Sequence, residues 1–503
     1  MDTWTGSPHF APPRRYHNFV SGEEVASRSE ATFGSVNPTS GAHWGDFPLS
    51  EPTDIDSAVR SADQTFRGAW GALPPIKRGK LLARWGELIA RDETEIATLE
   101  ATQNGKLLSE LRVQTTATED WLAYYGGLAS QIEGSVIPLT RQSVLNYTLR
   151  EPVGVVGAIL PWNSPTFHTV MAIAPALAAG NTVVIKPSEF TSASAVEIAK
   201  LALEAGIPAG VVNVVTGARE AGVALVDHPL VARVSFIGSV PAGRAIGERA
   251  GRRLIGATLE LGGKSPNIVF ADADLDLAEA GIVAGIFAAA GQSCIAGSRV
   301  YIHASIYDAL VLRLVERAKA IRIGDPLLPS TQMGPVANKH QFDKDRTMVE
   351  RSVASGAELL CGGTAVNVEG FPGGLFFAPA VLHKASASNP LIREEVFGPV
   401  LALTPFKDDD EAVALANDSP FGLAAGVWTR DVRRAHLVAR ALQAGTVWIN
   451  TYRALACNSP FGGYKDSGIG RNNGAEAIAP YLQTKSVWCE LGMDAPDPFV
   501  IRV

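Results

Sequence analysis

The chain has 503 residues, 46% of them hydrophobic and 19% charged, a composition that excludes global disorder and supplies a large core. At roughly 150 residues per domain, this length corresponds to about three domains or subdomains. With 44 Lys and Arg against 51 Asp and Glu, the net charge is −7, so no basic excess draws the chain onto nucleic acid or an anionic membrane.

The opening segment MDTWTGSPHFAPPRRYHNFV lacks a continuous apolar run and does not read as a secretory signal. From Pro52 to about Ser130 the pattern is helical. Leu81, Leu82, Trp85, Leu88 and Ile89 fall on one stripe with charges opposite. Between Gly134 and Pro152 the period changes to two. SVLNYTLREP alternates and is rich in β-branched and aromatic residues, so it reads as an extended hairpin arm. Continuous apolar runs then recur at VGVVGAIL (153–160), TVVIKP (182–187), VVNVVTG (211–217) and VARVSFIG (231–238), separated by helical stretches. Such alternation predicts a parallel sheet covered on both faces, and TLELGG (258–263) ends this block.

A second α/β block follows. It contains NIVFADAD, the helix-like IVAGIFAAAGQSC, the strand RVYIHAS and the helix IYDALVLRLVERAKAI, then strands at FFAPAVL, VLALTPF, AAGVWT and GTVWIN. The tail PYLQTKSVWCEL reads as a last strand able to pair with the hairpin arm. The most apolar region, 153–185, is interrupted by Pro161, Asn163, Pro165, His168 and Pro175, so no membrane span fits there.

Cys294, Cys361, Cys457 and Cys489 stand apart with no C-x-x-C spacing. That pattern gives neither a zinc ribbon nor a disulfide framework, no metal site is expected, and a reducing cytoplasmic setting suits it. A G-x-G-x-x-G fingerprint is absent. GGKS at 262–265 has Thr258 where a phosphate loop needs its first glycine. H-E-x-x-H and G-x-S-x-G are absent as well.

Six segments carry the chemistry: PWNSP (161–165), TVVIKPSE (182–189), LELGGKSPNIVF (259–270), GQSC (291–294), EEVFGPV (394–400) and SPFGGYKDSGIGR (459–471). Taken singly, each has an ordinary reading. Cys294 is a buried inert thiol, Asn163 a loop cap, Glu260 an outward-facing strand carboxylate and SFIGSVPAGRAIG a plain strand-to-helix turn. Together, in this order and spacing, they resemble the aldehyde dehydrogenase superfamily over about residues 18–490.

The resemblance implies an α/β fold with two parallel-sheet domains and an oligomerisation arm. Residues 18–130 and 153–262 would form a Rossmann-type dinucleotide-binding domain and 263–465 a catalytic domain. Residues 131–152 and 478–495 would form the arm and tail of a homodimer or homotetramer. The resemblance makes Cys294 the nucleophile toward an aldehyde carbonyl. The Asn163 amide and the Cys294 backbone N–H would bind the oxyanion, and Glu260 would activate water for thioester hydrolysis. The coenzyme contacts it implies begin with Ile159, Pro161 and Trp162, then Lys186, Ser188 and Glu189. Further along are Gly217, Phe236, Gly238, Ser239, Leu261, Glu395 and Phe397. A carboxylate at Glu189 favours NAD over NADP, because it accepts from a free 2′-OH and repels a 2′-phosphate. The aldehyde pocket would be lined by Ser164, Met171, Ser293, Ile295, Leu455 and Phe461.

The chain departs from the family pattern at four places. Ala172 stands where many hydrolytic members carry Lys, and Asn472 where many carry Glu. Loss of both keeps charge balance, so Glu260 and water are expected to move the proton without that pair. Ser164 and Met171 replace residues that are often aromatic, which widens or softens the tunnel. The alternatives are a CoA-acylating relative, against which Glu260 argues, a catalytically silent protein on the same scaffold, and a thiol esterase without redox function.

Overall fold

A computed structural model describes residues 9, 13–493 and 499. Two parts of the sequence expectations lie outside these residues: most of the first twelve positions of the opening segment, and the last two positions of the 478–495 tail.

The runs of Val and Ile that predicted a parallel sheet form one. Strands Val155–Ile159, Thr182–Lys186, Val212–Val214, Val231–Ile237 and Gly256–Glu260 pair in parallel. They lie within an 8-stranded sheet whose outer strands, Asn18–Val20, Glu23–Val25 and Gly468–Ile469, are antiparallel. Consecutive strands run outward in both directions from Val155–Ile159. The strand order therefore reverses between Val155–Ile159 and Val231–Ile237, and α/β sheets bind ligands in the crevice at such a reversal. Helix Pro165–Ala179 follows the first of these strands and is buried along almost its whole length. The Glu100 carboxylate accepts from the Thr166 backbone N–H at 2.6 Å, satisfying one of the orphan donors of its first turn. Gly180, at φ 101°, ends it in the left-handed conformation.

The second block is a 7-stranded sheet in the order Glu358–Cys361, Ala380–His383, Val400–Phe406, Arg299–His303, Pro266–Val269, Ala424–Trp428 and Thr446–Ile449. Every pairing is parallel except the Glu358–Cys361 edge. The helical stripe is realised in helix Pro75–Arg91, where Leu82, Trp85, Leu88 and Ile89 are buried and Leu81 packs beside them. The arm Val144–Pro152 pairs antiparallel with the tail strand Leu482–Glu490 over nine residues, from Leu482 opposite Pro152 to Glu490 opposite Val144. Val136–Ile137 flanks the arm on its other side.

Two differences from the sequence expectations bear on the site. The strand expected at 258–263 ends at Glu260, because the Leu261 N–H turns to donate to the Ser467 carbonyl at 2.9 Å. Gly468–Ile469 crosses back to pair with Leu259 and Glu260. A segment beyond the expected catalytic block thus supplies an edge of the first sheet beside Glu260. Among the described residues no helix is long and apolar enough to cross a membrane.

Candidate active site

The loop that carries Cys294 begins where helix Leu275–Phe287 stops. Ala289 and Ala290 adopt φ 53° and 52°, and Gly291 follows at 71°. Left-handed backbone is costly for alanine, and surrounding contacts hold it. A Cβ on Gly291 would lie 2.2 Å from the Gly398 carbonyl oxygen, so only glycine fits there. Gln292 then fixes the turn. Its side chain donates to the Ala289 carbonyl at 3.1 Å and accepts from the Ala337 N–H at 2.8 Å. Its backbone carbonyl accepts from Asn163 Nδ2 at 3.0 Å. This last bond uses one amide proton of Asn163 and leaves the other without a partner among the described residues, in the cleft that Cys294 also lines.

Cys294 is half-buried. Burial, reinforced by the negative charges of Glu260 and Glu395, pushes its thiol up to about 12. Glu260 is buried, and neither carboxylate oxygen has a hydrogen-bond partner among the described residues. Burial therefore holds its carboxyl well above the usual carboxylate range, despite the nearby Arg471 charge. The glycines of LELGG make room for this assembly. A Cβ on Gly262 would meet the Glu395 carboxylate at 2.2 Å, and one on Gly263 would meet the Cys294 carbonyl at 2.4 Å. The Gly263 N–H donates to Glu395 at 2.9 Å. Burial raises the Glu395 carboxyl too.

These residues open onto a cleft of about 690 Å³. Asn163, Glu260, Ser293 and Cys294 line it. So do Pro161, Trp162, Gly238, Ser239, Leu261, Glu395 and Phe397 on the sheet side. Ser164, Met171, Ile295, Leu455 and Phe461 line the rest. Trp162 and Phe397 meet edge to face at 5.3 Å, with Phe397 at φ 65°.

A second cavity of about 650 Å³ joins the first at Ser239 and is lined by Ile159, Lys186, Glu189 and Phe236. It opens at the start of helix Val240–Arg252. Lys186 is buried and lies 3.5 Å from Glu189, whose side chain is 42% exposed. Burial lowers the Lys186 ammonium while Glu189 partly restores it. Gly243 lies in the first turns of that helix, and a Cβ there would come 2.4 Å from the Leu261 side chain.

Two residues expected at the coenzyme do not line either cavity. The Ser188 hydroxyl accepts from the Phe190 N–H at 3.3 Å and braces its own turn. Gly217, at φ 152°, lets the chain pass Ala221, whose Cβ would sit 2.9 Å from an added one. Other residues of the cleft were not legible in the sequence. Lys106 is 4% exposed, and its Nζ donates to Ser164 Oγ at 2.8 Å and to Gln114 Oε1 at 2.9 Å. Burial lowers its ammonium to about 8. His168 is buried, with Nδ1 unpartnered among the described residues, and burial lowers its imidazolium to about 3. Trp121 and Phe167 cross at 5.0 Å on the same wall. Lys106 lies 58 positions before Ser164, and the only local signal is a polar residue closing the Asn104–Lys106 turn between two helices.

Comparisons with known proteins agree with this architecture. The model of the aldehyde dehydrogenase family matches residues 25–487. The (Z)-2-((N-methylformamido)methylene)-5-hydroxybutyrolactone dehydrogenase of Acinetobacter baylyi is 43% identical over 94% of this chain and 97% of its own. The betaine aldehyde dehydrogenase of Brucella melitensis is 42% identical over 97% of this chain and 99% of its own. The aldehyde dehydrogenase of Bacillus cereus, solved as an NAD+ complex, superposes with a TM-score of 0.93 at 39% identity, covering 95% of this chain and 97% of that one. With the family model spanning most of the chain and relatives above 40% identity along nearly all of it, the chain belongs to the aldehyde dehydrogenase family.

Proposed function

We propose that the protein oxidises an aldehyde to its carboxylic acid with NAD, through a covalent adduct on Cys294. The observation that carries this reading is the convergence of Cys294, Asn163 and Glu260 on one cleft, with the second Asn163 amide proton unspent and both Glu260 oxygens unpartnered.

The Cys294 sulfur attacks the carbonyl carbon as a thiolate. The free Asn163 amide proton and the Cys294 N–H take the negative charge that forms on the carbonyl oxygen. A nicotinamide coenzyme held by Glu395, Phe397, Lys186 and Glu189 would supply the acceptor for the hydride that leaves the carbon. The resulting thioester stays on Cys294. Glu260 takes a proton from water, which attacks the thioester, and the acid departs as the thiolate is restored. The atoms balance as aldehyde, NAD+ and water giving acid, NADH and a proton.

Lys186 and Glu189 are suited to the adenosine ribose, and Glu395 and Phe397 to the nicotinamide ribose. The half-exposed Glu189 carboxylate favours a free 2′-OH, hence NAD over NADP. A CoA-acylating reaction has no use for Glu260. Residues 18–130 with 153–262 are read as the coenzyme domain, extended by Gly468–Ile469, and 263–465 as the catalytic domain. The arm and tail, with exposed Val136, Leu149 and Trp488, are read as the contact of a homodimer or homotetramer. Four free thiols fit the cytoplasm.

The test is NADH formation across aliphatic, terpenoid, aromatic and amino aldehydes, with wild type and Cys294→Ala. Turnover with the wild type and none with the variant is expected. A Cys294→Ala protein that turns over as fast as wild type overturns the reading.

A further inference from the structure

We infer that the inner wall of the aldehyde cleft, built from Lys106, Ser164, Gln114 and His168, is a subsite for an anionic oxygen on the substrate, so that the preferred aldehydes carry a carboxylate near the reacting carbon. The inference rests on the aldehyde-oxidising reading and names its substrate class.

Lys106 lies 96% out of solvent by its 4% exposure. Among the described residues its Nζ donates to two neutral oxygens, those of Ser164 and Gln114. An ammonium has three protons to donate, so one remains unspent. A buried cation without a hydrogen-bonded anion is costly, and Glu110 and Glu100 act on it only through space. Ser164 Oγ accepts from Lys106, which leaves its own O–H to point elsewhere. His168 Nδ1 is buried on the same wall with no partner among the described residues. Three unspent polar groups thus share one lining, next to Asn163. A carboxylate accepts from the Lys106 ammonium and the Ser164 hydroxyl, and from His168 Nδ1 in the tautomer that carries its proton there.

The rival occupant is a cationic aldehyde. The Trp121–Phe167 ring pair and Asp120 would suit it. Asp120 is exposed, so solvent and salt screen it. Lys106 is desolvated, and Arg453 on the same cleft adds to the positive side. Glu260 and Glu395 line the same cleft and act on Cys294; at the inner wall Lys106 is the charge hydrogen-bonded to the lining, so a cation is disfavoured there.

The experiment compares kcat/KM for succinic semialdehyde, butanal and betaine aldehyde in wild type, Lys106→Met and Ser164→Ala. Wild type is expected to prefer succinic semialdehyde over butanal by at least about tenfold. Loss of a hydrogen bond to a charged group removes roughly ten- to hundred-fold, so Lys106→Met should collapse that preference, chiefly through KM. Ser164→Ala should reduce it less, and it carries the test where Lys106→Met fails to fold. An unchanged preference in both variants, or a wild type that prefers betaine aldehyde, overturns the inference. Succinate binding to Cys294→Ala, followed by calorimetry, is independent of turnover. Succinate binding to Cys294→Ala, together with a wild type that turns over no aldehyde, overturns the oxidation reading and leaves the subsite standing. Failure of succinate to bind, with no preference for its semialdehyde, overturns the subsite alone.

Discussion

Replacing Glu260 by Gln separates the two halves of the proposed reaction. The side chain keeps its length and loses its ability to take a proton. A positioned general base contributes about 10²- to 10⁴-fold, so steady-state turnover should fall by that much. Cys294, Asn163 and its Gln292 anchor at 3.0 Å are untouched, so the first turnover should survive as a burst of NADH equal to the active sites. Rapid mixing with a saturating aldehyde reads both. A variant with no burst would mean that Glu260 acts before the hydride leaves, as the base for the thiol. A variant with full kcat would mean that it is no base at all.

The same substitution has a stability signature. Burial raises the Glu260 carboxyl in the folded protein well above its ordinary value. A raised group contributes stability that is complete below the unfolded pKa and is lost as pH rises through the folded one. Between those two values the wild type should lose about 1.4 kcal/mol per pH unit on this account. Glu260→Gln lacks that loss, so its denaturation midpoint should gain on wild type as pH rises from about 5. A parallel pH dependence in the two proteins would show that the carboxyl ionises freely in the folded protein.

The Cys294 thiol, pushed up to about 12, should react with iodoacetamide about tenfold faster per pH unit up to about pH 9 in the coenzyme-free protein; a plateau near neutrality would contradict this. Ala172 is fully buried in helix Pro165–Ala179, so Ala172→Lys should lower stability by several kcal/mol. An equally stable and active variant in thermal and kinetic assays would count against Glu260 and water moving the proton unaided. Truncation after Tyr481 removes the strand paired with Val144–Pro152 and should give monomers by sedimentation; an unchanged assembly would refute the role of the arm.

The parallel strands were readable because burial on both faces favours near-continuous β-branched and apolar residues, as in TVVIK at 182–186. The N-terminal strands were not, since Asn18–Val20 has three residues and pairs Phe19 with Val214, 195 positions away. Helix Lys339–Ala354 is dominated by charged residues and shows no clear stripe. In the site, GQSC and LELGG carry their constraint in glycines that no Cβ could replace. The left-handed Ala289 and Ala290 have no such marker, because their conformation is imposed by the contacts around them. Lys106 escaped for the same reason: its meaning lies in Ser164, which only the fold brings within 2.8 Å. Ser188 braces its own turn through the Phe190 N–H, and a hydroxyl near a ribose and a hydroxyl bracing a turn look alike in a sequence.

The pattern of unmet hydrogen bonds ties function to stability. Both Glu260 oxygens, His168 Nδ1, Lys264 Nζ and the Asn472 amide are buried without partners among the described residues. Glu260 and His168 line the cleft. Lys264 follows the glycine that binds Glu395, and Asn472 pairs through its backbone with Phe461 on the cleft wall. Each such group costs about 1–3 kcal/mol while unsatisfied, so the cleft is one of the places where the fold gives up stability. Groups of this kind persist where water or ligand completes them. A bound ligand then stabilises the protein by mass action, and the gain should be largest for the ligand that meets the most of these groups. An aldehyde bearing a carboxylate reaches Lys106 and His168 as well as the oxyanion donors, whereas a plain alkanal reaches only the last. Selectivity and ligand-induced stabilisation therefore have a common origin here, in charges the fold buries but does not pair.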